Sequence, residues 1–119
     1  MSYIAISPEH YKGQVVGSGQ CVDFVKKSAG TPPSSSWKKG IDVLGNNIPA
    51  GTAIATFDAD GHYPSNKTGN HAAILVNQTS DSITVWDQWK GQSVHQRRIV
   101  NRHGNGSPSN DASLYSVIE

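Results

Sequence analysis

The chain has 119 residues and a single cysteine, Cys21, so no internal disulfide can hold it together. A chain of this length must then rely on one hydrophobic core, and it is too short to form two. We therefore expect one domain over residues 1–119. The lone thiol is either a small core side chain or a reactive group, and the rest of the sequence has to decide between these roles.

The charge balance argues against polyanionic partners. The net charge is +1 and the isoelectric point is about 7.9, with basic residues only in isolated pairs such as Lys26-Lys27. A nucleic-acid partner is therefore not predicted. No run approaches the roughly 20 apolar residues of a membrane helix, and the first residues lack the features of a secretory signal. We expect a protein made in the cytoplasm that uses another export route if it acts outside the cell.

Capping residues and apolar spacing predict helices in the first third of the chain. Ser7-Pro8 predicts a short helix from Pro8 to about Lys12. A second helix is predicted from Gln20 to Ser28, with Gly30 ending it. The serine run at 34–36 could cap a third, weaker helix over residues 37–40.

The second half of the chain has the pattern of β-strands. After a turn at residues 48–51, strands are predicted at 52–57, 71–77, 82–89, 94–100 and 113–118. Short connections favour an antiparallel meander, and helices followed by a sheet of about five strands define an α+β fold. The exception is a polar loop of 13 residues at 58–70, and long loops in compact domains are often functional.

Cys21 lies at the start of the second predicted helix, after the glycine-containing run Gly17-Ser18-Gly19-Gln20. Unpaired backbone N–H groups and the helix dipole favour a thiolate at such a position. A buried, inert thiol is the alternative, and the position alone leaves both interpretations open.

His71 is the histidine that could activate this thiol. It begins an apolar strand, Asn70-His71-Ala72-Ala73-Ile74, and a strand end holds an imidazole rigidly while leaving it open to a cleft. The alternative is a histidine that only satisfies a local hydrogen bond. The other four histidines are expected to face solvent: His10, His62, His95 and His103.

No paired metal-binding motif occurs, so neither a metal nor another cofactor is predicted. His62 with Asp58 and Asp60 is the weak exception that the sequence offers.

A cysteine and histidine pair needs a third polar group to orient the imidazole. Asp87 lies near the end of the next predicted strand, and a hairpin turn near residues 79–81 would bring it opposite the His71 to Ala73 region. Gln88 is the reserve candidate, but it should face away from the cleft if Asp87 faces it.

These residues together resemble a known family. Gly19-Gln20-Cys21-Val22-Asp23-Phe24 at a helix start, the His71 strand and Val85-Trp86-Asp87 on the next strand resemble the papain-like cysteine amidases of the CHAP and NlpC/P60 group. The small size is most similar to the peptidoglycan amidase effectors of bacterial type VI secretion systems. The resemblance implies a papain-like fold, with N-terminal helices packed on a small antiparallel sheet.

The resemblance also implies a mechanism and a place of action. Cys21 would attack an amide carbonyl of the peptidoglycan peptide stem or cross-link, His71 would protonate the leaving amine, and Asp87 would orient His71. The Cys21 backbone N–H would bind the oxyanion, with a side chain such as Gln20 or Gln14 as a second donor. The enzyme would act in the periplasm of a target bacterium, and the producing cell would need a cognate immunity protein.

Five further residues are candidates for lining the substrate groove, although strand aromatics more often pack in a core. They are Asp58, Asp60, Tyr63, Trp86 and Trp89. Two other functions remain open: a noncatalytic binding module with Cys21 in its core, and a cysteine and histidine enzyme of different chemistry, such as an acyltransferase or a deamidating toxin.

Overall fold

The computed structural model of the chain describes residues 2–64 and 69–119. Its described part contains one α-helix, α1 (Cys21–Ala29), and six strands. The strands are β1 (Lys39–Asp42), β2 (Ala53–Thr56), β3 (Ala72–Gln78), β4 (Ser82–Trp89), β5 (Gln92–Val100) and β6 (Tyr115–Ile118). Short 3₁₀ turns occupy Pro8–Tyr11, Ser34–Ser36, Pro108–Asn110 and Ala112–Leu114.

All six strands form one antiparallel sheet in the order β1-β6-β2-β3-β4-β5. Strands β2 to β5 are neighbours in chain order, which confirms the predicted meander. The last strand, β6, inserts between β1 and β2, which leaves β1 and β5 as the edges of the sheet.

Alternation along the strands gives the sheet two buried faces. Ala72 and Ile74 point towards the side that α1 covers, where they pack with Phe24 and Val25 of the helix. Ala73, with its strand neighbour Leu75, packs into a second cluster on the opposite face. Both faces are covered, which is consistent with the almost continuous apolar run over the first part of β3.

Helix α1 begins and ends one residue later than the predicted helix from Gln20 to Ser28. Gly17 and Gly19 both have positive φ, which glycine adopts without a steric penalty, and they turn the chain into the helix. Asp23 in the first turn accepts hydrogen bonds from the backbone and hydroxyl of Ser18, at 2.8 and 2.6 Å. Gly30 ends the helix in the left-handed conformation, and its N–H donates to the carbonyl of Lys26.

The two shorter predicted helices do not form as α-helices in the described part of the chain. The helix predicted from Pro8 to about Lys12 is a 3₁₀ helix over Pro8–Tyr11, and the helix predicted from residue 37 onward is wrong. Trp37 is instead fully buried, its indole N–H donates to the carbonyl of Pro32, and β1 follows to pair with β6. This strand raises the count from the predicted five to six. No helix in residues 2–64 or 69–119 has the length and apolar character to cross a membrane.

Candidate active site

The site forms where the start of α1 meets the start of β3. Cys21 is the first residue of α1, so its backbone N–H has no partner one turn earlier in the helix. Gln88 of β4 holds the segment before Cys21 in place through hydrogen bonds. Its buried amide accepts from the Val16 N–H and donates to the carbonyls of Val16 and Gln20, at 2.8 to 2.9 Å.

His71 immediately precedes β3 and is 5% exposed. Its backbone N–H donates to the hydroxyl of Thr56, at 3.1 Å, and its carbonyl accepts from the Thr56 N–H, so the residue is tied to the neighbouring strand. Its Nε2 atom lies 2.6 Å from Oδ2 of Asp87. The side chain also hydrogen bonds with Cys21. With Nε2 committed to Asp87, the nitrogen that faces the thiol is Nδ1.

Asp87 is fully buried on β4, where three basic side chains lie against its carboxylate. Besides His71, Arg97 donates from Nε to Oδ2 at 2.7 Å. The Nε2 atom of His95 lies 3.1 Å from Oδ1. A buried carboxylate without hydrogen-bonded partners would be strongly disfavoured, and His71 and Arg97 supply those partners here.

The pKa values of the three groups shift in the directions that an ion pair requires. Burial by itself raises the pKa of Cys21, but the hydrogen bond and charge of His71 lower it below the ordinary value. Burial lowers the pKa of His71, but its hydrogen bonds to Asp87 and Cys21 raise it to about 9. Burial raises the pKa of Asp87, and His71 and Arg97 lower it overall. These directions favour a thiolate, an imidazolium and a carboxylate over the corresponding neutral groups.

Tyr63 extends from the long loop to the sulfur atom. Its hydroxyl lies 3.5 Å from Sγ of Cys21, and its ring packs edge to face on Trp37 and Phe57. Burial and the neighbouring Cys21 raise the pKa of Tyr63, so the phenol stays protonated and can donate to a thiolate.

Two adjoining cavities open onto these side chains. The first, of about 270 Å³, exposes Cys21, and the second, of about 330 Å³, reaches Arg97. Asn70, His71 and Trp89 line both cavities. Cys21 therefore lies in the wall of a cleft and is not sealed in the core.

Comparison with known proteins identifies the family of the chain. The family model described as Domesticated amidase effector 2 matches residues 2–118. The chain belongs to this family. A protein of Salmonella typhi named Type VI secretion amidase effector 2 protein is 37% identical over 113 residues, which cover 84% of this chain and 84% of that protein. Domesticated amidase effector 2 of Ixodes scapularis is 37% identical over 121 residues, which cover 94% of this chain and 81% of that protein.

A solved structure extends the likeness to the fold. The structure described as Type 6 secretion amidase effector 2 (Tae2) aligns with a TM-score of 0.89 and 33% identity, over 98% of this chain and 94% of that one. The small α+β fold with one helix and a six-stranded antiparallel sheet is thus the fold of an amidase effector.

Five residues were candidates for lining the substrate groove. Two of them, Tyr63 and Trp89, line the first cavity. Trp86 lies in the core cluster on the helix side and lines neither cavity, because strand alternation places it on the opposite face of β4 from Asp87. Asp58 and Asp60 do not line either cavity. The Asp58 carboxylate instead accepts from the N–H groups of Asp60 and His62 within its own turn.

The two predicted oxyanion donors, Gln20 and Gln14, lie in different places. The side chain of Gln20 lines the first cavity, whereas the Gln14 amide donates to the carbonyl of His10 and lines neither cavity. Residues 65–68 of the predicted loop lie outside the described residues. In the described part of the chain, no three or more His, Cys, Asp or Glu side chains group so that they could hold a metal ion.

Two residues of the site were missed. His95 was expected to face solvent, but its side chain is only 29% exposed and contacts Asp87. Arg97 is part of an isolated basic pair in the sequence, Arg97-Arg98, and it bonds the same carboxylate. The strand register is the signal that could have found them, because Asp87 pairs with His95 and Val85 pairs with Arg97.

Proposed function

We propose that the chain is a cysteine amidase that hydrolyses an amide bond in the peptide stem or cross-link of bacterial peptidoglycan. The observation that carries the proposal is the chain of contacts from Cys21 to His71 to Asp87 in the wall of a cleft. Membership of a family named for amidase effectors supports it.

In the resting enzyme, His71 has accepted the thiol proton, and the Cys21 thiolate is the nucleophile. The thiolate attacks the amide carbonyl and forms a tetrahedral intermediate. Two donors are in reach of a developing oxyanion at this sulfur: the backbone N–H of Cys21 at the start of α1 and the hydroxyl of Tyr63. The Gln20 side chain, which lines the same cavity, is a further candidate donor.

Collapse of the intermediate needs an acid. His71 gives its proton from Nδ1 to the leaving amine, which leaves an acyl group on the sulfur of Cys21. The neutral imidazole then removes a proton from water, the hydroxide attacks the thioester, and the acid product and thiol are released. Asp87 fixes the ring orientation throughout and stabilises the imidazolium.

The order of helix, histidine strand and aspartate strand also supports a papain-like placement in the CHAP and NlpC/P60 group. We further propose that the enzyme is an antibacterial effector that acts in the periplasm of a target bacterium, with an immunity protein protecting the producer. The names of the Salmonella typhi relative and of the Tae2 structure support this part.

The test is digestion of purified peptidoglycan, with mass spectrometry of the new termini. We expect wild-type protein to release fragments with a new amine and a new carboxylate, and Cys21→Ala and His71→Ala to release none. Asp58→Ala is the control, because Asp58 lines neither cavity. Full activity of either site variant would refute the mechanism.

The digestion products also distinguish hydrolysis from the alternative functions. A binding module would release no fragments, and its thiol would react slowly with iodoacetamide at pH 6, whereas a thiolate next to an imidazolium reacts fast. An acyltransferase would join the acyl group to an added amine, and a deamidase would release ammonia without cutting the peptide.

A further inference from the structure

The Asp87 carboxylate is shared between two donors. Its Oδ2 atom accepts from Nε2 of His71 at 2.6 Å and from Nε of Arg97 at 2.7 Å. Hydrogen bonds this short between ionised groups are the strong ones in proteins. The orientation of the carboxylate, and with it the orientation of the imidazole, therefore depends on where Arg97 is held.

Arg97 is held at every nitrogen of its guanidinium. Besides the bond to Asp87, Nη1 donates to Oδ1 of Asn110 at 3.1 Å and Nη2 donates to the carbonyl of Ser109 at 3.2 Å. The group also lies 5.2 Å from the ring centre of Trp89, and it is mostly buried. The planar fork of an arginine can make these contacts simultaneously, whereas a lysine cannot.

The turn that receives Arg97 is itself fixed. The Ser109 carbonyl also accepts from the hydroxyl of Tyr115, at 2.8 Å, and Tyr115 is fully buried on β6. Trp89 packs edge to face on both His71 and His95, with ring centres 6.1 and 5.1 Å apart. Arg97 thus connects the sheet, the 3₁₀ turn at Pro108–Asn110 and the Trp89 wall of the cleft to one carboxylate oxygen.

We propose that Arg97 is a positioning residue of the amidase: it fixes the Asp87 carboxylate that orients His71, and it withdraws part of that carboxylate's charge from the imidazolium. The inference rests on the proposed function, since it assigns Arg97 a part in the same reaction. Arg97 acts through Asp87 and is not itself required to touch the substrate.

The proposed withdrawal of charge from the imidazolium predicts the direction in which the pKa of His71 changes when Arg97 is replaced. With Arg97 removed, Asp87 would direct its whole charge at His71, and a nearby positive charge would also be lost. Both changes raise the pKa of His71 above its value of about 9. A more basic imidazole is a weaker acid towards the leaving amine, so turnover falls. The other titratable or charged groups around this pair are Cys21, Tyr63, Lys90, His95 and Tyr115.

The experiment measures the His71 titration directly, by NMR of histidine-labelled protein, and compares four proteins. They are the wild type, Arg97→Gln, Arg97→Lys and the control Arg98→Gln. Arg98 is the next residue of the same strand, it is exposed, and it bonds the Ser82 hydroxyl, so Arg98→Gln removes an equal charge from outside the site. The His71 resonance is assigned with His71→Ala, and thermal unfolding checks that each variant is folded.

We expect Arg97→Gln to raise the pKa of His71 by about one unit, and Arg98→Gln to leave it unchanged. Arg97→Lys should keep the pKa near the wild-type value, because the charge stays, while kcat falls at least about tenfold, because the fork is lost. If Arg97→Gln does not fold, the Lys variant and the control still decide the matter through kcat.

An unchanged pKa of His71 in folded Arg97→Gln, an equal shift in Arg98→Gln, or full kcat in Arg97→Lys would overturn the proposal. The titration needs no substrate, so it separates this inference from the proposed function, which fails instead if Cys21→Ala retains activity.

Discussion

Replacing Gln88 by alanine tests how the chain positions Cys21. The Gln88 side chain is fully buried and makes three hydrogen bonds, all to the backbone segment that leads into α1. Gln88→Ala leaves one N–H group and two carbonyls of Val16 and Gln20 without these partners. No charge and no residue of the proposed ion pair is altered.

The expected loss of stability follows from the number of hydrogen bonds that Gln88→Ala removes. Each contributes about 1 kcal/mol net, so the free energy of unfolding should fall by about 2 to 3 kcal/mol. For a domain of this size that corresponds to a drop in Tm of about 10 °C. Because Gln20 is the residue before Cys21, the loosened segment should also reduce the reactivity of the thiolate in the folded protein.

Gln78 supplies a matched control on another part of the sheet. Its amide also makes three backbone hydrogen bonds, accepting from the Gly45 N–H and donating to the carbonyls of Val43 and Asn46. Gln78 is only half-buried, so water can replace these bonds and Gln78→Ala should cost about 1 kcal/mol.

Urea unfolding gives the stability of both variants, and alkylation of the single cysteine by iodoacetamide at pH 6 gives its reactivity. We expect Gln88→Ala alone to slow alkylation at a temperature where both variants are folded. Equal losses of stability in the two variants, or wild-type alkylation in Gln88→Ala, would refute the reasoning.

Two further predictions concern the ion pair. Tyr63→Phe keeps the ring that packs on Trp37 and loses the hydroxyl at Cys21, so Tm should stay near the wild-type value while kcat falls about tenfold to a hundredfold; an unchanged kcat would remove Tyr63 from the mechanism. The raised pKa of His71 alone would make stability fall as pH rises from about 6.5 through 9, whereas the lowered pKa of Cys21 makes stability rise as pH approaches the ordinary cysteine value of 9.0 from below. The two contributions therefore oppose each other below about pH 9, and the free energy of unfolding, measured by urea titration, should fall by less than about 1.4 kcal/mol per pH unit there; the full slope would mean that His71 alone is perturbed.

Short-range signals explain what the sequence predicted well. Gly17, Gly19 and Gly30 need positive φ, and they bound α1 to within one residue of the predicted helix. The predicted hairpin also brought Asp87 to His71, because a short turn fixes the register of two adjacent strands. Strand alternation also predicted that Gln88 faces away from Asp87. Gln88 indeed bonds the segment before α1, on the other face of β4.

Long-range pairing explains the wrong helix at residues 37–40. The serine run at 34–36 has the composition of a helix cap, but only a single 3₁₀ turn forms there. What decides the next residues is β6, which lies almost 80 residues further along and offers β1 an edge to pair with. No local pattern could show this, since β1 lacks alternation and leaves Ile41 more than half exposed.

The residues missed on β5 show how a buried charge constrains its neighbours. The polar alternation around His95 predicts solvent exposure, which is common on an edge strand. Asp87, however, lies on a covered face, and a carboxylate there requires cationic partners on adjacent strands. The tight turn after β4 pairs Asp87 with His95, which puts residues 95 and 97 on the Asp87 side of the sheet. Strand register combined with that electrostatic requirement would have selected His95 and Arg97 from the sequence alone.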